Sequence, residues 1–405
     1  MSVAPPPRLA GLALCAVQFF LALSWTVYVL FLPQLAAQAG IPKTAVIYIL
    51  MLDQAVFLFV DFAAGVAADR VAHQVHRLGM AILAATGVSC LAFLLLPIVA
   101  PHGSVLAFTA ITALWSVTSS ALRAPPLALM GRYLDRRSQP GLVALSLFGL
   151  GMASAMAPYL GLALRQVDPR WPFALSSLAL SLATLGIVFA ERALIRAPGP
   201  ARALDDAATP LPPGATRWLL GLLSAALLAA VAFQLHVFLN SLAAYRRFVG
   251  EAGLAPLVPV FWIGFNLFLL PASMLSRRLA VHSVMGASAV VAALAAALAH
   301  QSASLPLLLA AQVVAGAAWA CLMMSAFAAA LAIGRSGRQG RFTGALSSML
   351  ALAALLRLAV VAAQAPQPGA AETLLRWAPS VAWVLAAALL FALWRHGRLD
   401  GAVTR

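Results

Sequence analysis

Twelve largely apolar stretches, each near or above the ~20 residues that carry a helix across a ~30 Å hydrocarbon layer, leave this chain little choice of fold. They lie near residues 9–36, 45–68, 78–99, 105–130, 142–164 and 172–190, then near 217–240, 254–275, 281–299, 305–333, 343–363 and 374–394. Of 405 residues, 63% are hydrophobic and 9% charged, whereas a soluble domain carries roughly 25% charged residues. The pattern predicts an all-α integral membrane protein of twelve transmembrane helices in a lipid bilayer. The first stretch is too long for a signal-peptide core and has no small-residue cleavage site, so it is expected to remain as a helix.

A net charge of +15 raises the question of nucleic acid. The basic residues, however, come in ones to threes between apolar runs and form no patch, so no nucleic-acid partner is expected. Their distribution reads as topology, because basic residues are retained in the cytoplasm during insertion. With the N-terminus inside, 18 Arg fall in cytoplasmic positions, from Arg8 through Arg70, Arg77, Arg132, Arg136, Arg137 and Arg277 to Arg405, against six basic residues outside: Lys43, Arg165, Arg170, Arg246, Arg247 and Arg376. Arg123 and Arg357 fall within spans. Both termini are therefore predicted cytoplasmic, and an error of one helix would scramble the alternation. Trp171, Trp218, Trp377 and Trp394 at span edges read as interfacial anchors. The excess of Arg over a single Lys, with abundant Ala, points to a GC-rich bacterial genome and hence to a bacterial cytoplasmic (inner) membrane.

Cys15, Cys90 and Cys321 each lie inside a predicted span and are read as core packing. The longest internal polar stretch, with Pro198, Pro200, Pro210, Pro212, Pro213, Asp205 and Asp206, separates six helices from six. It divides the chain into an N-terminal bundle at 1–192, a cytoplasmic central loop at 193–216 and a C-terminal bundle at 217–405. Faint self-similarity accompanies the division: Gly65 to Arg70 corresponds to Ala272 to Arg277, and Trp115 to Trp319. Repeated six-helix halves are the arrangement with which transporters enclose a midplane site.

With these features the chain resembles the major facilitator superfamily over nearly its whole length. In that family the loop after the second helix reads Gly-x-x-x-Asp-Arg-x-Gly-x-Arg-Arg. Here Gly65, Asp69 and Arg70 stand in place, Ala72 replaces the second Gly, and the next Arg is delayed to Arg77. The resemblance implies that Asp69 and Arg70 latch the cytoplasmic helix ends. Arg123, followed by Gly131 and Arg132, is similar to the family's buried arginine of the fourth helix. Pro158 and Gly161 look like the end of a fifth-helix signature associated with proton antiporters, with Ala157 and Leu162 at two of its glycines. The resemblance also implies a monomer.

Charges at membrane depth cost ~2.5–3.5 kcal/mol each on insertion scales, so they pair or line a water-filled path. Asp53, Asp61, Arg123 and Arg357 are such charges and sum to zero. Counting rise along each helix puts Asp61 level with Arg123 and Asp53 level with Arg357, so the expected pairs are Asp61–Arg123 within the first half and Asp53–Arg357 across the halves. They serve either as fixed ion pairs or as proton-coupling groups whose carboxyl protonates from one side and releases as its Arg approaches. In the resembled family the first, fourth, seventh and tenth helices line the cavity. There Trp25 with Tyr28, Trp115 with Ser119, His236 with Asn240, and Trp319 with Met323 share helix faces. Together they would form an aromatic-lined pocket suited to a moderately apolar small-molecule substrate, with a carboxylate contact from Arg123 if it were free of Asp61. Ordinary helix packing accounts for the same spacings.

No phosphate loop, His-Glu-x-x-His motif, cysteine metal cluster or large soluble domain is present in the sequence. Asp53 and Asp61 lie on one helix about 80° apart, without a second aspartate span to complete a protease-like dyad. The expectation is no enzyme, no metal and no cofactor, with an ion gradient as the energy source. The leading expectation is a proton-coupled secondary transporter of a small organic solute. Drug or metabolite efflux by proton antiport, and a non-transporting sensor or scaffold with the same bundle, are its rivals.

Overall fold

Inside a bilayer no water is at hand for backbone N–H and C=O groups, so an apolar run closes its hydrogen bonds within itself as helix. A computed structural model of the chain describes residues 7–74, 78–133, 138–196, 215–334, 337–363 and 370–396, and among these there is no strand. Twelve helices are long and apolar enough to span. They are α1 (Leu9–Gln38), α2 (Lys43–Ala72), α3 (Leu78–His102), α4 (Val105–Tyr133), α5 (Gln139–Ala163), α6 (Arg170–Ile195), α7 (Arg217–Tyr245), α8 (Val260–Arg278), α9 (Val281–Gln301), α10 (Leu305–Ile333), α11 (Gln339–Ala362) and α12 (Thr373–Arg395). Residues 197–214 of the central connection, with Arg77, Arg136 and Arg137, lie outside the described residues.

The observed spans follow the expected ones to within six residues at every limit. The eighth starts at Val260, because 254–259 fold as bends and turns, and the seventh runs on to Tyr245. Of the expected tryptophan anchors, Trp171 and Trp394 are exposed, whereas Trp218 is buried beside His282. All three cysteines are free thiols, Cys90 and Cys321 buried and Cys15 partly so.

Within α1–α6 the main neighbours are α1 with α5 and α6, and α3 with α4 and α6; within α7–α12 they are α8 and α9 with α10, and α12 with α7 and α9. The two sets of six meet chiefly through α2 with α11 and α5 with α8, the α2–α11 contact being the most extensive in the molecule. It is made possible by missing side chains: a methyl group on Gly65 would collide with the Gly340 carbonyl, and one on Gly344 with the Asp61 carbonyl. Small residues let backbones approach where lipid gives helices no hydrophobic reason to associate. The Asp69 carboxylate then accepts the backbone N–H groups of Gly340 and Arg341, each at 2.8 Å, at the start of α11. Those N–H groups belong to the first turn, where no intrahelical acceptor exists. Gly131 of α4 against Leu331 of α10, and Gly141 of α5 against Arg277 of α8, join the halves at the same end. This end carries the described chain termini, the last turn of α2 and the first turn of α3, and is here termed the terminal end.

One span is broken. The helix of α4 gives way to a 3-10 turn at Ser120–Leu122 and resumes at Pro125. Proline has no N–H, so Pro126 cannot supply the donor that the Leu122 carbonyl would receive in an unbroken helix. Gln18 of α1 replaces it, its Nε2 donating to the carbonyls of Leu122 at 3.1 Å and Arg123 at 3.2 Å. The break leaves Arg123 at the turn instead of mid-helix.

Two outcomes follow. Replacing Gly65 with Ala overpacks the α2–α11 contact, which costs ~1–3 kcal/mol and shifts the balance toward an open terminal end by ~5- to 150-fold. In a background lacking the native cysteines, a single cysteine at Ala128 is expected to label correspondingly faster from that end. Gln18→Leu strands two carbonyls at a cost of ~1–3 kcal/mol each, and is expected to lower the thermal unfolding midpoint by a few degrees.

Candidate functional site

Asp61 and Arg123 meet beside the break in α4. Arg123 Nε lies 3.2 Å from Asp61 Oδ2, with the carboxylate fully buried and the arginine side chain 26% exposed. The guanidinium also sits 4.4 Å above the Phe57 ring of α2, so one face is covered and the edge is turned to the acid. Asp61 is joined to the other half through its own backbone, since its carbonyl is what a side chain on Gly344 would strike. The ion pair and the closure of the terminal end therefore share a residue.

Asp53, two turns away on α2, has different company from that expected. It is fully buried and accepts Tyr28 Oη–H at 2.8 Å and Ser116 Oγ–H at 2.6 Å, joining α1, α2 and α4. No Arg357 pair exists in this conformation. The count along the helices matched the two residues in depth, but Asp53 points into its own six-helix set. Tyr28 belongs to an aromatic stack in which Trp115 lies 4.6 Å from Tyr28, 5.8 Å from Trp25 and 5.1 Å from Phe93.

The eight residues expected to share a pocket divide into two groups. Trp25, Tyr28, Trp115 and Ser119 lie in α1–α6; only Trp25 is partly exposed, and Ser119 donates to the Ser116 carbonyl. Trp319 and Met323 are buried in α7–α12, Trp319 stacked on Phe233 at 4.5 Å. His236 and Asn240 open instead onto a cavity of about 150 Å³ within the second set, whose lining also includes Ser241, Arg247, His300, Gln312 and Arg376. The common aromatic pocket is thus not formed in this conformation, because most of its expected walls face partners in their own half.

The cavity lies where α7 changes pitch. Residues His236–Asn240 form a π-helical turn, in which the His236 carbonyl accepts both the backbone N–H of Ser241, five residues on, and Ser241 Oγ–H at 2.8 Å. Gln312 of α10 closes the circuit, accepting from His236 Nε2 at 3.0 Å and donating to Ser241 Oγ at 3.0 Å. Asn240 donates to the carbonyls of Leu375 and Arg376 in α12. The same turn presents Phe238 beneath Arg357 of α11, whose guanidinium lies 4.8 Å from the ring centre.

At the terminal end Asp69 holds α11 as described, and Arg70 is exposed. Pro158 lies inside α5, and Gly161 near its far end faces Leu30. Among the described residues no group of three His, Cys, Asp or Glu is disposed to hold a metal ion. Gln18, Ser116, Phe57, Ser241, Gln312 and Phe238 are the contributors that sequence reasoning passed over. The Pro125–Pro126 pair inside an apolar span signals that a donor such as Gln18 is needed; nothing in the sequence marks the π turn.

The whole arrangement is that of known membrane transporters. The human organic anion transporter MFSD10 superposes with a TM-score of 0.70 at 15% identity, over 95% of this chain and all of its own. The Escherichia coli fucose:proton symporter FucP gives 0.65 at 13%, over 96% of this chain and 99% of its own, and the proton:xylose symporter XylE 0.67 at 12%, over 96% and 94%. At such identities the likeness is one of fold. No curated protein sequence matches the chain. The family model described as Major Facilitator Superfamily matches residues 14–255, more than half of the sequence. With twelve spans in two sixes and that match, the chain belongs to the major facilitator superfamily of membrane transporters.

Proposed function

We propose that the protein is a proton-coupled secondary transporter of a small organic solute, working by alternating access as a monomer in a bacterial inner membrane. Two bundles, 1–192 and 217–405, joined by a cytoplasmic connection at 193–216, rock against each other around a central site. The arginine distribution supports placing the terminal end in the cytoplasm. The conformation described here is then closed to the cytoplasm and poised to receive solute from outside. The proton gradient supplies the energy, and no cofactor takes part. MFSD10, FucP and XylE, named for organic anion, fucose and xylose transport, carry out solute transport on this fold.

The observation that carries the reading is the position of the Asp61–Arg123 pair. An acid buried at membrane depth is stable as a carboxylate only while a cation stays beside it. Asp61 has one, and its backbone forms part of the α2–α11 contact that must separate when the cytoplasmic end opens. Separation admits water next to Asp61, and a proton then exchanges with the cytoplasm as Arg123 swings away about the break in α4. On closure Arg123 returns. The proton-linked step is thereby tied to the conformational one, which is what coupling requires. Asp53, held by two hydroxyl donors in one bundle, has no comparable link to the other and serves to hold α1, α2 and α4 together.

In liposomes enclosing a pH-sensitive dye and screened with organic acids, amines, sugars and antibiotics, wild-type protein is expected to give a solute-dependent pH change. Asp61→Asn is expected to lower that signal by at least about a hundredfold, within the range a positioned proton-transfer group contributes, while solute counterflow persists. Asp53→Asn, which keeps a polar partner for Tyr28 and Ser116, is expected to retain coupling. Full proton coupling in Asp61→Asn would sink the assignment. A wild-type protein that moves no solute, correctly inserted, would point to a sensor or scaffold.

A further inference from the structure

Three of the four charges at membrane depth have partners in the fold, and one does not. Asp61 faces Arg123, and Asp53 takes two hydroxyl donors. Arg357 has no carboxylate within 4.0 Å among the described residues, and its Nε is buried without a hydrogen-bond partner. The side chain is neither sealed in nor free in water: it is partly exposed, and its guanidinium lies over Phe238, itself 48% exposed. A ring beneath the guanidinium occupies its face and leaves the N–H donors of its edge for another partner.

We propose that Arg357 is the recognition residue for the anionic group of the transported solute, which makes the substrate an organic carboxylate. The proposal rests on the transport reading above and adds to it the class of solute and the residue that selects it. A guanidinium is a planar fork of donors that matches a carboxylate with two parallel hydrogen bonds. At membrane depth a cation without an internal counter-charge is held for something that arrives from outside the fold. Arg123, which the sequence offered for this contact, is occupied by Asp61, so the free cation is on the opposite bundle.

The location fits entry of solute. Arg357 stands five residues before the end of α11 that lies away from the closed terminal end, about 8 Å of helix rise, on the side from which solute arrives in this conformation. The π turn at His236–Asn240 is what swings Phe238 beneath it. The neighbouring cavity contributes Arg247, Arg376 and His300 to the same end of α7–α12, and no carboxylate lines it, so the local field favours anions. Finally, Arg357 rides on the helix whose other end is fastened to α2 by Gly340, Gly344 and Asp69. An anion bound at Arg357 therefore acts on the element that must move.

The test uses the whole protein in lipid nanodiscs, with benzoate, phenylacetate and hexanoate as probes and their uncharged amides as controls, followed by tryptophan fluorescence and thermal unfolding. At least one carboxylate is expected to bind while its amide does not. Arg357→Gln is expected to weaken that binding about ten- to hundredfold, as loss of a charge-assisted hydrogen bond does, without lowering the ligand-free unfolding midpoint. Arg357→Lys, which keeps charge but not the fork, is expected to lie between. Carboxylate binding unchanged in Arg357→Gln overturns the proposal and leaves Arg357 as an arginine extending toward the headgroups. Absence of any carboxylate response in wild type overturns it as well. The transport reading is judged separately, by flux of sugars and amines through the same protein in liposomes: solute-coupled flux of those alone sinks the carboxylate assignment and keeps transport.

Discussion

The contact between α2 and α11 is the constraint on which the rest of this structure depends. Two lipid-embedded helices gain little by hiding apolar surface from lipid, so what holds them must be close backbone packing and polar bonds. Both are present in a short stretch: glycines at 65, 340 and 344, and a carboxylate at 69 that supplies acceptors to an unsatisfied helix start. Such a contact is strong when in register and has no gradual alternative. A displacement of one ångström removes the hydrogen bonds and the van der Waals contact together. Bistability of that kind is what a gate needs.

The polar groups at membrane depth are arranged around this gate according to what each must do. Asp61 and Arg123 are placed where the gate and the break in α4 meet, so the pair is joined in this conformation and disposed to separate. Asp53 is locked by Tyr28 and Ser116 at the core of one bundle, with the Trp25, Trp115 and Phe93 stack packed around it. The His236, Gln312 and Ser241 circuit has the corresponding place in the other bundle, where it ties the π turn of α7 to α10. Each bundle is thus pinned internally by a closed polar cluster, and the joint between them is left to glycines and one acid. That division lets the halves move as bodies.

How much of this was readable in the sequence follows from which quantities a sequence carries. Hydropathy records length and burial in lipid, so the number of spans and nearly all their limits were legible, and the arginines gave the reading of sidedness. Depth is also carried, at 1.5 Å per residue, and it paired Asp61 with Arg123. Azimuth relative to neighbours is not carried. Asp53 and Arg357 matched in depth as well, yet one points into its own bundle and the other rests on Phe238. The expected aromatic pocket is not formed in this conformation for the same reason: side chains spaced i, i+4 share a helix face, but which neighbour that face meets is settled by tertiary packing. The break at Pro125–Pro126 leaves a trace in the sequence, a missing donor, that the reading of one span at 105–130 passed over, while its cap, Gln18, lies over a hundred residues away. The π turn in α7 has no local signature at all, since it is fixed by partners on α10 and α12.

Charge balance connects these points. The intramembrane sum of Asp53, Asp61, Arg123 and Arg357 is zero, which from sequence alone reads as two pairs. In the folded chain the zero is divided unequally. One acid is paired with an arginine, one is held by two hydroxyl donors within its own bundle, and one arginine stands on an aromatic face in the opposite bundle. Arg357 is then the cation that the fold leaves without a carboxylate within 4.0 Å among the described residues. An anion held there would supply the missing counter-charge on the helix whose other end is fastened to α2, which is how a charged solute can bias the gate.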